Sequence, residues 1–371
     1  MLGKLQSKHF DRWLGGYVRH QLRRTVEPRA VGTRHVLFAF CDHFEPLWGH
    51  PSHRTALERV HAWETGYRAL AENFSDADGR PPQHTFFFPG EEYRPEFFDA
   101  LEPLIRSGLG EVELHLHHDG ATEHSARREI ENYLATYAER GHLARGPRGQ
   151  LRYAFIHGNW ALANARPDGR WCGVDSELSV LFETGCYADF TFPAVPDVSQ
   201  PNRVNEIYWP VGDVSRRRAY EHGERAAVGH SYEDRILMLT GPLGLSLREN
   251  GWSPRLEYGA ITAKDPGSRA RVRAWLASNI HVAGCPEWVF IKVHTHGAPE
   301  AQAASLLGEG GLQLHRALCA EVAALGNAKL HYVTAREMFN LAKAAMAGKS
   351  GDPNPYRDYV LGPPPIRRTH P

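Results

Sequence analysis

The sequence predicts an α/β fold built around a parallel sheet or barrel, and three observations support this prediction. Short apolar segments alternate with helical segments along most of the 371 residues, as in chains whose parallel strands are joined by helices. The composition, 42% hydrophobic and 23% charged, is ordinary for a globular protein with a substantial core. His and Asp residues recur where the predicted strands end, which is typical of the active-site face of an α/β barrel.

Apolar runs and period-two alternation predict the strands, and a 3.6-residue period predicts the helices. The predicted strands cover residues 35–41, 83–90, 111–120, 151–159, 187–193, 235–242, 287–297 and 328–333. The predicted helices cover residues 53–74, 93–108, 121–141, 175–185, 268–283 and 334–348. Asp175 is the expected N-cap of one helix, and Thr334 with Glu337 has the spacing of a capping box. Loops with short strands are expected from about 196 to 262, where Pro, Gly and Arg are frequent.

The chain divides into one large domain and two short flanking segments. Residues 1–30 are predicted to form an amphipathic helix, residues 31–345 the α/β barrel domain, and residues 346–371 an irregular tail. Apolar side chains at helical spacing among Lys and Arg suit a helix that packs on the domain, or one that makes peripheral contact with a membrane surface.

The bulk composition excludes some classes of protein. Lys+Arg and Asp+Glu both number 43, so the chain lacks the basic field of a nucleic-acid binder. No apolar run approaches the roughly 18 residues of a membrane-spanning helix, and the N-terminus lacks an apolar signal core. Five scattered cysteines without a Cys-x-x-Cys pair fit a reducing compartment. We therefore expect a cytoplasmic protein that could be peripheral to the inner membrane.

Polar residues follow four of the predicted strands at their C-terminal ends. They are Asp42 and His43 after the first strand, His115, His117, His118 and Asp119 after the third, His157 and Asn159 after the fourth, and His294 and His296 after the strand near 290. Because the C-terminal strand ends of a barrel converge on one face, we expect these side chains to share one site.

The pattern within this set predicts a divalent metal, with zinc the best match. His115 and His117 alternate along a strand and so point to one side, and His294 and His296 repeat this alternation. Zinc binds imidazole nitrogen and carboxylate oxygen. Trp160 follows Asn159 in a predicted loop, where an aromatic ring could stack on a sugar, although packing is the commoner role of Trp.

The ordered motifs resemble the NodB-like polysaccharide deacetylases, which are metal-dependent amide hydrolases that remove N-acetyl groups from glycans. The resemblance runs from about residue 35 to 340. It rests on Phe-Cys-Asp-His at 40–43, His-Thr-Phe-Phe-Phe-Pro-Gly at 84–90, Gly-Glu-Val-Glu-Leu-His-Leu-His-His-Asp at 110–119, the segment 183–195, and Phe-Ile-Lys-Val-His-Thr-His-Gly at 290–297. It implies a distorted seven-stranded (β/α) barrel of the glycoside hydrolase/deacetylase type.

The resemblance also implies roles for individual residues. The second Asp of the family's first motif, a metal ligand, is His43 here, and the second His of its third motif falls on Asp119. The implied metal ligands are His43, His115, and Asp119 or His117. Asp42 takes the role of general base and His294 that of the acid that protonates the leaving amine. The implied substrate-binding residues are His157, Asn159, Trp160 and His296.

The sequence thus predicts a metal-dependent hydrolase that removes an N-acetyl or other acyl group from a sugar or polysaccharide intermediate, with lipid-linked and nucleotide-linked sugars among the candidate substrates. One alternative is a non-catalytic glycan-binding or assembly protein that retains the barrel. Another is a glycosidase, which needs two carboxylates about 5–9.5 Å apart. Asp42 with Glu45 or Asp119 are the strand-end candidates for that pair.

Overall fold

A mostly parallel β-sheet organises residues 8–367, the part of the chain that the computed structural model describes. The strands are β1 (Arg34–His43), β2 (His84–Pro89), β3 (Gly110–Leu116), β4 (Ala144–Arg145), β5 (Leu151–His157), β6 (Cys186–Asp189), β7 (Ile207–Pro210), β8 (Gly223–Arg225), β9 (Leu237–Leu239), β10 (Gly244–Leu247), β11 (Pro254–Glu257), β12 (Trp288–Thr295) and β13 (Ala328–Tyr332). The helices are α1 (Phe10–Val26), α2 (His53–Ala71), α3 (Pro95–Arg106), α4 (Glu123–Glu139), α5 (Glu177–Glu183), α6 (Arg269–Ser278), α7 (Glu300–Leu306), α8 (Glu309–Ala323) and α9 (Ala335–Met346).

Seven strands pair in parallel in the order β12-β1-β2-β3-β5-β6-β9, and antiparallel β7 and β8 extend the sheet beyond β9. The central strand β1 pairs with β12 over residues 35–42, with β13 over residues 34–38 and with β2 over residues 40–43. Because β12 runs along nearly all of one edge of β1, β13 and β2 share its other edge. The fold is therefore mixed α/β with a mostly parallel sheet, whereas a closed seven-stranded barrel stays a prediction.

The two faces of the sheet are packed differently. The face that carries Val36, Phe38 and Phe40 packs in one apolar core with residues of α2, α3, α4, α6 and α8, and we call it the outer face. The face that carries Leu37 and Ala39, which we call the inner face, packs against α9 in a second core. Nearly every residue of α9 is buried, which explains why this helix is apolar around most of its circumference.

Buried ion pairs fix α9 against the strands. The Arg336 guanidinium lies on the buried carboxylate of Glu111 in β3, with Nη2 and Oε1 2.9 Å apart. The backbone N–H of Ala335 donates to the Thr85 hydroxyl in β2 at 2.9 Å. The predicted capping box of this helix is confirmed, since the Thr334 and Glu337 side chains each accept from the other's backbone N–H. Residues 347–367 contain two short 3-10 turns.

Helix α1 packs beside the β10–β11 hairpin. Its Trp13 is fully buried with Val195, Val204 and Leu243 in a small separate core. Gly16 allows this approach, because a Cβ there would lie 2.1 Å from the carbonyl oxygen of Asn202. Across residues 8–367, no helix combines the length and apolarity that crossing a bilayer requires. Residues 1–7 of the predicted N-terminal helix and residues 368–371 of the predicted tail lie outside the described part.

Most predicted elements are present, but their bounds differ. The strand predicted at 187–193 is four residues long in the structure, and the one at 235–242 is three. Helices α7 and α8 lie in a segment for which no element was predicted. Asp175 is not the N-cap of α5; that position is Ser176, and the Asp175 carboxylate accepts instead from the Asn164 amide at 2.7 Å. All five cysteines are free thiols.

Candidate active site

The candidate active site lies at the C-terminal ends of β1, β3 and β12. Side chains alternate along each strand, so His43 continues the inner face of β1 after Leu37 and Ala39. His115 occupies the inner face of β3, because Leu114 and Leu116 belong to the outer core. Parallel pairing of these strands aligns their C-terminal ends and brings the imidazoles together.

His43 and His115 lie beside Glu45, which follows the end of β1. We call these three side chains the strand-end cluster. Their ligand atoms all lie within 4.8 Å of one another, and all three residues are buried. The His43 and His115 rings are 4.9 Å apart between centroids. Two imidazoles and a carboxylate at this spacing are a donor set that suits zinc.

Hydrogen bonds orient the ring nitrogens of this cluster. His115 Nδ1 lies 2.7 Å from the carbonyl oxygen of Ile156 and donates there, and Nε2 lies 3.1 Å from Glu45 Oε1, so it would release the proton it shares with that carboxylate on binding a metal. Metal-binding histidines are commonly oriented by such a bond to the second nitrogen. His43 Nε2 is buried and has no hydrogen-bond partner. A buried polar nitrogen without a partner is costly, and a bound metal would satisfy it.

Three further histidines surround the cluster. Glu45 Oε1 lies 3.5 Å from Nε2 of His117 and 4.0 Å from Nε2 of His296. The His296 ring is 4.7 Å from that of His43, and the His294 ring is 6.0 Å from it. His294 Nδ1 is a second buried nitrogen without a hydrogen-bond partner.

The protonation states follow from burial and neighbouring charge. Burial opposes ionisation of Glu45, but hydrogen bonds from His115 and His117 outweigh it and hold the Glu45 pKa well below its usual range. Burial alone would lower the pKa of His117, but Glu45 and Glu91 raise it to about 10. Burial, together with the neighbouring imidazoles, lowers the pKa of His43 well below 6.5, so its ring is neutral.

Asp42, the predicted general base, is on the opposite face of β1 from His43. Its Oδ1 accepts the backbone N–H of Gly297 at 2.6 Å, and its Oδ2 lies 3.0 Å from Nε2 of His84. His84 is itself enclosed by the ring of Trp63, 4.5 Å away between centroids. The geometry thus gives Asp42 a place in the outer core, where it joins the end of β12 to β2, and does not bring it to the strand-end cluster.

Two other predicted residues lie outside the cluster as well. Asp119 is exposed, and its carboxylate accepts the backbone N–H of Trp171 at 2.7 Å. His157 is fully buried on the outer face of β5, where Nε2 lies 3.2 Å from Glu177. The geometry therefore favours Glu45 over Asp119 as the carboxylate beside His43 and gives His157 no access to a substrate there.

Aromatic rings form the rim of the site around His296. The Trp48 ring is 5.4 Å and the Trp160 ring 6.3 Å from the His296 ring. Trp48 is exposed, Trp160 is half-buried, and Asn159 beside it is exposed with a left-handed backbone, φ 52°. The predicted substrate residues Trp160, His296 and Asn159 thus lie on one rim, which Trp48 completes.

Sequence reasoning underestimated two carboxylates. Glu45 stands two residues after His43, and this spacing was the signal that could have placed it beside that ring. Glu91 follows Pro89 and Gly90 in the sequence, and this turn context predicts a solvated loop residue. In the structure its Oε1 accepts from the His117 side chain at 2.7 Å and from the His117 backbone at 3.0 Å. Only the approach of two loops reveals that pairing.

Comparison with known proteins gives limited similarity. No protein-family model and no curated protein matches the chain. One similar solved structure is a "putative polysaccharide deacetylase from Mycobacterium smegmatis", with 13% identity over 86% of this chain and 96% of that chain and a TM-score of 0.43. Another is an alpha-mannosidase from Enterococcus faecalis V583, with 12% identity over 84% of this chain and 29% of that chain and a TM-score of 0.42. TM-scores this low carry no argument for the fold or the activity, so the NodB-like resemblance stays a prediction.

Proposed function

We propose that this protein is a metal-dependent hydrolase of carbohydrates that removes an acyl group, most simply N-acetyl, from a sugar or polysaccharide. The observation that carries the proposal is the strand-end cluster, in which the ligand atoms of His43, Glu45 and His115 lie within 4.8 Å of one another and His43 Nε2 is buried without a hydrogen-bond partner. The aromatic rim around His296 supports a sugar as the substrate, because flat apolar rings stack on the faces of pyranose rings.

His43, Glu45 and His115 would hold the divalent metal, and zinc matches their nitrogen and oxygen donors. When bound, such an ion polarises a carbonyl oxygen and lowers the pKa of water toward neutrality. The site residues suit this ion electrically, since His43 is neutral and Glu45 is ionised.

The remaining histidines divide the proton and charge chemistry. His117 is held between Glu45 and Glu91 with a pKa raised to about 10, so it is a cation that can stabilise an oxyanion. His296 is half-buried beside the rim, and burial lowers its pKa below 6.5, so it can accept a proton at neutral pH and return it to the leaving amine. His294 is buried, whereas His296 is partly exposed beside the rim, so we assign the acid role predicted for His294 to His296.

The alternatives have weaker support. A glycosidase needs a second carboxylate across the scissile bond from the first, and the Asp42 carboxylate faces the outer core instead. A glycan-binding protein without activity would use the same rim but would have no need of a metal.

A peripheral membrane contact remains part of the proposal, with α1 as the contact surface. Leu14, Val18, Leu22 and Val26 are exposed at four-residue spacing on this helix, and Arg19 is exposed among them. Sedimentation with anionic lipid vesicles tests this contact: the wild type should pellet with the vesicles and Leu22→Glu should not. Equal sedimentation of both proteins would remove α1 from the proposal.

Metal content and acetate release test the hydrolase proposal together. Wild type, reconstituted with zinc, should bind metal in the strand-end cluster and release acetate from N-acetylated oligosaccharides. His43→Ala should lose that ion and the activity, while His61→Ala, a matched change of an exposed histidine on α2, should keep both. Zinc binding that is equal in wild type and His43→Ala would refute the site. Release of free sugar without acetate would favour the glycosidase reading.

A further inference from the structure

A second group of potential ligands lies outside the candidate active site, and we call it the loop cluster: His118, His157, Cys172 and Glu177. Their ligand atoms all lie within 4.8 Å of one another. The members come from the end of β3, the end of β5, the loop that follows β5, and the first turn of α5. Three of the four residues are buried, and the side chain of His118 is only 4% exposed.

The ring nitrogens of the loop cluster converge on one carboxylate oxygen. His118 Nε2 lies 2.7 Å and His157 Nε2 lies 3.2 Å from Glu177 Oε1. His157 Nδ1 is turned to the carbonyl oxygen of Gly158 and therefore carries its proton there, so Nε2 presents a lone pair. At 3.2 Å the geometry of Nε2 toward Glu177 is not that of a hydrogen bond, and this nitrogen is buried without a partner.

Burial and the Glu177 carboxylate keep Cys172 a neutral thiol in the absence of an ion, since both raise its pKa, but its sulfur is the atom that backbone donors and the cluster face. Two backbone N–H groups, of Asn164 and Val174, donate to Sγ at 3.3 and 3.4 Å. Such donors stabilise negative charge on sulfur. Sγ also lies 3.6 Å from Glu177 Oε2, so the thiol points into the cluster.

We propose that the loop cluster is a structural site for a divalent transition metal of the zinc class, bound by Nε2 of His118, Nε2 of His157, Sγ of Cys172 and the carboxylate of Glu177. Nitrogen, sulfur and oxygen ligands around zinc at about 2.0–2.3 Å are separated from one another by about 3.3–3.8 Å. The separations from the Glu177 oxygens, 2.7, 3.2 and 3.6 Å, lie near that range, so small side-chain rotations would bring all four ligands to one ion. Binding releases two protons to solvent, the thiol proton of Cys172 and the Nε2 proton that His118 shares with Glu177, and the Cys172 sulfur bonds to the metal as thiolate.

The role of this site follows from what it joins. The loop between β5 and α5 is irregular, and Asn159, Trp160, Ala163 and Asn164 in it all have positive φ. Such backbone is strained in non-glycine residues and needs support from elsewhere. An ion in the loop cluster would fasten both ends of this loop to the end of β3, and the loop carries the Trp160 ring to the rim. The site is thus a positioning device for the rim and does not depend on the chemistry proposed for the strand-end cluster.

Cobalt substitution tests the loop cluster separately from the strand-end cluster, because only the loop cluster contains a thiolate. Full-length protein is stripped with a chelator and reconstituted with Co²⁺. A thiolate-to-cobalt absorption in the near ultraviolet is expected in wild type and in the double variant His43→Ala/His115→Ala. The absorption should disappear in Cys172→Ser and persist in Cys319→Ser, a matched change of a half-buried thiol outside the cluster.

Two results would overturn the proposal. One is wild-type protein that takes up cobalt without a thiolate band, a result that does not depend on whether any variant folds. The other is a band that persists in Cys172→Ser at full intensity. A lower metal content in the strand-end variant with the thiolate band intact is the pattern expected of two separate sites, and it supports both proposals.

Discussion

Replacement of Asp42 by Asn distinguishes a catalytic from a structural role for this residue. The motif resemblance assigns Asp42 as general base, whereas its carboxylate joins the Gly297 N–H to His84 on the outer face of the sheet. In Asp42→Asn, the side-chain oxygen can still accept from Gly297. The new amide N–H₂ then faces His84 Nε2, which must give up its proton to accept. That proton moves to His84 Nδ1, a buried atom that has no hydrogen-bond partner.

The cost can be worked from these contacts. A hydrogen bond to a charged group contributes about 1.5–3 kcal/mol and a neutral one about 0.5–1.5 kcal/mol, so the weakening of two bonds and one stranded N–H should cost about 1–3 kcal/mol of stability. Unfolding entropy of about 2.1 cal/mol/K per residue amounts to about 0.8 kcal/mol/K for 371 residues. The midpoint of thermal unfolding should therefore fall by about 1–4 °C.

Thermal unfolding, metal content and acetate release, measured on the same preparations, decide between the roles. Asp42→Asn should melt earlier, bind as much zinc as wild type, and keep most of its turnover per bound ion. Glu45→Gln is the matched control, because it also exchanges a buried carboxylate for an amide, and it should lose zinc. An Asp42→Asn protein with wild-type melting and zinc content but no turnover would refute the structural reading and restore Asp42 as the base.

Three further predictions concern stability and substrate binding. Burial raises the pKa of Asp189 to about 7, so its neutral form contributes stability that is fully present below about pH 4 and is lost as the pH rises through 7. Burial also raises the pKa of Glu92 to about 7 and that of Glu113 to about 8, so in denaturant titrations from pH 4 to 8 Asp189→Asn should reduce the decline, by up to about 1.4 kcal/mol per pH unit, without abolishing it. Gly297→Ala should lower the free energy of unfolding by about 1–3 kcal/mol in the same assay, because the new Cβ would lie 2.1 Å from Asp42 Oδ2. Gly15→Ala is the control and should not destabilise the protein, since the nearest atom to its Cβ would be 3.5 Å away. Equal effects of the two substitutions would contradict the steric argument. Trp48→Ala should raise KM for the sugar about tenfold with kcat and melting temperature unchanged, since Trp48 is exposed beside His296; an unchanged KM would remove Trp48 from the rim.

Local pattern was sufficient for much of the fold because the signals for elements are local. Alternation along β3 and the apolar run of β12 predicted both strands, and the Thr334–Glu337 spacing predicted the start of α9. Strand β9 was predicted too long because only two or three of its residues are paired with neighbouring strands. The apolar residues on either side continue the strand-like sequence pattern although they form no strand hydrogen bonds.

The sequence by itself determined which strand ends carry histidines and, through alternation, that His115 and His117 lie on one side, as do His294 and His296. It could not determine which side chains of the first strand face inward, because β1 is apolar on both sides and lacks the alternation of polar and apolar residues that would mark one face. The tertiary structure decided that His43 faces inward with Glu45 and that Asp42 faces outward to His84 and Gly297. It also gathered His118, His157, Cys172 and Glu177, which are up to 59 residues apart in the chain. Contacts at that separation depend on how strands pair and loops pack, which no local pattern encodes.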